Sequence, residues 1–236
     1  MPIKNEAKLY QEFVRATGRL EAIFRDHPAL SGWINGELIS VERTLGGQQL
    51  HLLGEVHFSR KPVEYIHQNL VSRIERDPQR WLILDEDAET VIEAPIHSPT
   101  QFYIQGLAKL FKLPYEEALA DLYAPDTREY IKRKTGISEE DIDRSILTEV
   151  MELETEEDQK DSQSIVKRMS ENLQKPEGYT RRLLSMGPKT DLNFGEVIGK
   201  NWNDYSRERF HKLLKRYFDR TEILIRVGCS HLPAFE

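Results

Sequence analysis

Two short stretches far apart in the chain share one pattern, an apolar strand running into Gly-x-x-His. LHLLGEVHF supplies Gly54, Glu55, Val56 and His57, and EILIRVGCSHL supplies Gly228, Cys229, Ser230 and His231. In each, β-branched and leucine residues lead to a glycine placed where a strand would become a loop. A glycine there permits close backbone approach to a ligand. Ligands of open α/β sheets collect beyond the carboxyl ends of the strands, so two histidines delivered at two such ends could meet in one crevice. Either histidine alone reads as readily as a structural residue satisfied by a carbonyl; the pairing is what turns the reading towards function.

The surrounding periodicities supply the rest of an α/β unit. Leu9, Phe13, Ala16, Leu20 and Phe24 recur at helical spacing, predicting an amphipathic helix over residues 5 to 26, stopped near His27 and Pro28. GELISVERTLGGQQLHLLGE reads as a β-hairpin turning at Gly46 and Gly47. Pro62 opens a crossover helix with Val63, Ile66, Leu70 and Ile74 on its apolar face. WLILDED then reads as a buried parallel strand ending in Asp85, Glu86 and Asp87. After Pro99 the character turns polar and helical until about residue 204, too long for a loop in a compact domain. That stretch is expected to be a helical insertion over residues 98 to 204, able to serve as a lid, with a capped helix starting at Ser138 and Asp141. The acidic run from Glu139 to Asp161 reads first as a solvated helix face. YSRERFHKLLKRYF and then Thr221 to Val227 complete the pattern as a last helix and a last strand. The expected fold is therefore a single α/β domain over residues 1–236, with a central mixed, largely parallel sheet, flanking helices and a large helical insertion.

Charge and composition narrow the function classes. With 33 Lys plus Arg against 40 Asp plus Glu, the net charge of −7 repels phosphate backbones, so nucleic acid is not the expected partner. A single cysteine rules out an internal disulfide framework and cysteine-rich metal sites, and suits a reducing compartment. No apolar run is long enough to span a membrane and MPIKNEAKLYQEF lacks the apolar core of a signal peptide, so a cytoplasmic protein is expected.

LLGEVHFSRKPVEYIHQNL, the apolar strand WLILDED, an arginine-bearing helix and VGCSHLP together resemble the TraB/Tiki superfamily, whose relatives include the ChaN-like and erythromycin esterase families. The matching blocks cover about residues 50 to 87 and 205 to 233. In the Tiki branch, two Gly-x-x-His motifs and a glutamate hold a metal for peptide hydrolysis. The resemblance thus implies hydrolysis of an amide or ester bond in a peptide or small molecule. A divalent ion (Mn, Co or Zn) would be held by His57, His231 and Asp85 or Glu86, and Gly54 and Gly228 would allow close approach. Neutral imidazoles and a carboxylate suit such ions and leave positions for water, and an inward arginine would stabilise the developing oxyanion. Arg207 on the last helix is the arginine expected to point inward, with Arg209 as its rival. A metal-free version would use Glu55 and His57 as an acid and base pair, as in the esterase branch. Binding of haem or iron without turnover, as in ChaN-like relatives, is the reading from another class, and a catalytically idle regulatory domain is a third. Family members usually continue with a further helix and strand beyond the second motif, whereas only LPAFE follows here, so the expectation is either an abbreviated sheet or cover from a second copy in a homo-oligomer. Cys229 reads as a small buried residue, His51 and His67 as packing or surface residues, and His97 has no identified partner.

Overall fold

The computed structural model describes residues 2–24, 36–55, 59–86, 88, 98–120, 124–140, 142 and 195–235. Helix α1 (Pro2–Phe24) buries the predicted stripe, with Phe13, Ala16 and Leu20 removed from water. The expected stop at His27 and Pro28 lies outside the described residues. Strands β1 (Ile39–Leu45) and β2 (Gln48–Glu55) form the antiparallel hairpin, joined by Gly46 at φ +58° and Gly47 at φ +87°. Two consecutive left-handed residues make the tight turn whose twist matches the strands, and glycine adopts that conformation without a Cβ clash.

The crossover runs through α2 (Lys61–Tyr65), a π-helical turn (Ile66–Leu70) and α3 (Val71–Arg76). It delivers β3 (Trp81–Asp85), which is buried throughout, as a strand covered on both faces must be. Residues 99–111 and 115–117, read from the sequence as the start of the helical insertion, belong instead to the sheet and its cover. They form α4 (Pro99–Phe111), whose Tyr103, Ile104 and Leu107 are fully buried in the core, and the short strand β4 (Tyr115–Glu117). A second parallel β-helix-β unit therefore follows the first. Beyond it come α5 (Pro125–Thr135), the contact of Ile142 N–H with Ser138 O where the capped helix was expected, and α6 (Gly195–Arg216). The rest of the expected insertion, residues 121–123, 141 and 143–194, lies outside the described residues.

Strand β5 (Glu222–Gly228) enters the middle of the sheet, giving the order β1-β2-β5-β3-β4 with β1 alone antiparallel. This is the mixed, largely parallel sheet with flanking helices that the sequence implies. Its alternating side chains feed two cores. On one face Leu53, Ile83, Leu224 and Trp81 meet α1, the crossover helices and α4. On the other, Leu50, Leu52, Leu82, Ile223 and Ile225 meet Phe210 and Leu214 of α6 and the 3-10 segment Cys229–Ala234 that follows β5.

Two tyrosines, Tyr103 of α4 and Tyr115 of β4, bond buried carboxylates. Burial, and then the hydrogen bond to the buried Glu6 carboxylate, push the Tyr103 phenol far above the ordinary range; burial, and then Asp85, do the same for Tyr115. A folded-state pKa raised above the unfolded one means that the native protein keeps a proton the unfolded chain releases. The associated stability is complete below the unfolded value of about 10 and is lost as pH rises from there towards the folded value. The urea midpoint is therefore expected to fall between about pH 9 and pH 11, and the fall to be shallower in Tyr103→Phe. A midpoint independent of pH over that range would contradict this reading.

Candidate functional site at the strand ends

The parallel register brings the two motif strands side by side. Gly54 lies opposite Val227 and Glu55 opposite Gly228 on β2 and β5, while Asp85 of β3 lies opposite Arg226 from the other side. The strand ends thus converge where chemistry in an open sheet collects. Alternation then splits the polar groups: Glu55, Arg226 and Asp85 share the face that carries Leu53, and Gly54 and Val227 belong to the face covered by α6.

On the first face Arg226 is the centre. Its Nη1 donates to Glu55 Oε1 at 2.6 Å and its Nε donates to Asp85 Oδ1, while the Tyr115 hydroxyl donates to Asp85 Oδ2. The three charged side chains are at most 3% exposed, so this is a fully internal ion cluster. Burial opposes the guanidinium charge, but the carboxylates of Asp85 and Glu55 outweigh it and hold Arg226 well above the usual arginine range. Removing one partner of such a buried pair typically costs about 3–5 kcal/mol because a bare charge is left behind.

At the rim, partly open to solvent, stands a second group. Glu86 Oε2 accepts the Gly228 N–H at 2.6 Å, and Glu86 Oε1 lies 4.0 Å from His231 Nε2. His231 Nδ1 is 3.0 Å from Asn203 Oδ1, an acceptor that pairs with a proton on Nδ1. Trp202 packs edge-on against the imidazole with ring centroids 4.5 Å apart, and its own Nε1 donates to Ala120 O at 2.6 Å. The 3-10 segment that carries His231 is keyed into the sheet by Leu232, which fills the space beside Gly54. A Cβ on Gly54 would lie 2.4 Å from Leu232 Cδ1 and 2.8 Å from its Cγ.

The structure sorts the candidate residues accordingly. Glu55 and Asp85 are held by Arg226, whereas Glu86 is the carboxylate that faces His231. Arg207 does not turn inward: its Nη2 donates to Pro233 O, its Nη1 to Asp204, and its side chain is 42% exposed. Arg209 donates to Leu119 O. Gly54 offers no open approach to a cofactor, because Leu232 occupies that side, and Gly228 contributes its N–H to Glu86. His57 and His97 lie outside the described residues. His51 is a buried packing residue between Glu42 and Glu222, stacked on Trp81, and His67 bonds Glu6. Cys229 is half-buried. Sequence reasoning passed over Arg226, Asn203 and Tyr115; only Arg226 carried a signal, a charge inside the apolar run ILIRVG.

Among the described residues no group of three His, Cys, Asp or Glu side chains is assembled as a metal site, and no helix is long and apolar enough to cross a membrane. Comparison with protein-family models, with curated proteins and with solved structures finds no match.

The two motif glycines are expected to differ under substitution. Gly54→Ala forces Leu232 from its seat and should cost about 1–3 kcal/mol. Gly228 has an ordinary φ of −57°, and a Cβ there would meet Glu86 Oε2 at 3.5 Å and His231 Cδ2 at 3.7 Å, normal contact distances. Gly228→Ala should therefore stay within about 0.5 kcal/mol of the parent. Urea unfolding of the two variants decides; equal costs would contradict the packing described.

Proposed function

We propose that the protein is a hydrolase of the TraB/Tiki type that cleaves an amide or ester bond with a water activated between Glu86 and His231. The observation that carries this reading is the approach of Glu86 Oε1 to His231 Nε2 at 4.0 Å at the ends of neighbouring strands, each group oriented by a further bond, to Gly228 N–H and to Asn203 Oδ1. A water bonded to both at ~2.8 Å would subtend about 90°, near the angle its two hydrogens make. His231 Nε2 takes the proton of that water as it attacks the carbonyl carbon, and Glu86 stabilises the resulting imidazolium. His231 then returns the proton to the leaving nitrogen or oxygen. The paired Gly-x-x-His motifs and the resemblance they carry support the same reaction class.

The donor set also bears on a divalent ion. Glu86 and His231 are one ligand short of the three protein ligands usual in catalytic zinc sites, and His57, two residues beyond Glu55, is the donor the sequence offers for the third. Asp85 is committed to Arg226 and is no part of this set. When bound, manganese, cobalt or zinc would supply a more acidic water and a polarised carbonyl.

The test is hydrolysis of p-nitrophenyl esters and fluorogenic peptides by untagged protein, with and without added Mn, Co or Zn, together with metal analysis. Glu86→Gln and His231→Ala are each expected to lower kcat/KM by at least about 100-fold while the circular dichroism spectrum is unchanged. A wild-type protein inert towards both substrate classes with every ion, or variants as active as the parent, would overturn the proposal.

A further inference from the structure

Glu86 is tied to β5 at both ends of the residue. Its main-chain N–H is shared between Arg226 O and Asp85 Oδ1, each at 3.1 Å, and its side chain receives the Gly228 N–H. Asp85 Oδ1 is the same oxygen that Arg226 Nε grips, and the other Asp85 oxygen is held by Tyr115. Arg226 therefore reaches Glu86 by two routes, its own carbonyl and the carboxylate it holds in place. Strands β2 and β3 are not hydrogen-bonded to each other, because β5 lies between them, and the Arg226 side chain from β5 reaches the ends of both. The guanidinium fork does so in two directions at once, which the single ammonium of lysine cannot reproduce. Arg226 Nη2 meanwhile has no hydrogen-bond partner among the described residues although it is buried.

We infer that Arg226 is the positioning residue of the strand-end site, holding Glu86 in the orientation that faces His231 through Asp85, with Glu55 as the second anchor. The inference rests on the reading of Glu86 as the site carboxylate. Its consequence is that the Glu86 to Gly228 bond depends on the arginine fork, beyond the positive charge and beyond the integrity of the strand.

Amide hydrogen exchange at Gly228, followed by NMR, reads that bond without any substrate. Glu86→Ala serves as the reference, expected to speed Gly228 exchange by at least about tenfold. Arg226→Lys keeps the charge and loses the fork; the neutral triple variant E55Q/D85N/R226M removes all three charges so that none is left bare. Both are expected to remain folded by thermal melting, and either one alone suffices for the test. Faster exchange at Gly228, approaching the Glu86→Ala value, with the Leu224 and Ile225 amides unchanged supports the inference. Gly228 exchange at the wild-type rate in a folded variant overturns it. So does acceleration of all β5 amides together, which would mean that Arg226 only stabilises the strand. Absence of hydrolytic activity in the wild type would remove the proposed reaction and leave this exchange result standing. A Glu86→Ala variant with unaltered Gly228 exchange would instead show that the bond itself is absent, and would overturn the inference at its root.

Discussion

A guanidinium sealed inside the central strand of a sheet is costly unless carboxylates meet it, and that requirement organises this molecule. Arg226 sits within the apolar run ILIRV of β5, at most 3% exposed, with Glu55 on one neighbour and Asp85 on the other. Because desolvating the cation is offset only by close, well-directed partners, β2, β5 and β3 must keep the register that puts both carboxylates within reach. The same register brings the two Gly-x-x-His strands together. The ion cluster and the assembly of the strand ends are thus one constraint.

The alternation of the strands divides the labour between the faces. Even spacing along β2 and β5 directs Glu55 and Arg226 to the face under α1 and α4, where water is excluded and Tyr115 caps the cluster. The opposite face is apolar and closes over Leu232, whose side chain takes the volume that Gly54 leaves empty. That contact fixes the short 3-10 segment and so fixes His231. Glu86 stands at the junction: its main chain belongs to the ion cluster and its carboxylate to the rim. The buried ion cluster lies beneath, and the partly exposed Glu86 and His231 lie above it, each held by a further hydrogen bond.

Much of this frame was legible in the residues. Gly46 and Gly47 announced the hairpin because a glycine pair readily adopts the left-handed conformations of a tight two-residue turn, and Val63, Ile66, Leu70 and Ile74 announced the crossover helix by their spacing. The paired Gly-x-x-His motifs pointed to one shared crevice, and their strands β2 and β5 are neighbours in the sheet. Other features were not legible, for physical reasons. Tyr115–Glu117 is too short a strand to show alternation, so α4 and β4 read as part of an insertion although they extend the sheet. Asp85 and Glu86 are adjacent and must point to opposite sides, but which side each takes depends on register, and register is a tertiary property. Arg207 was expected inward from its place near Phe210, yet α6 presents it to Pro233. The arginine that is inside was visible all along as the break in ILIRVG: a charge in a buried strand demands carboxylates nearby, and Glu55 and Asp85 were the ones at hand.

Whether Arg226 is charged, buried and gripped from two sides can be read directly from its own proton. In 15N-edited NMR at neutral pH, exposed arginine Nε–H groups exchange rapidly with water, whereas one bonded to a buried carboxylate is shielded. An arginine Nε–H resonance is expected whose exchange is slowed at least about a hundredfold relative to the exposed arginines and which disappears in Arg226→Lys. Finding that every arginine Nε–H exchanges at the rate of an exposed side chain, or that the slow resonance survives the substitution, would contradict it.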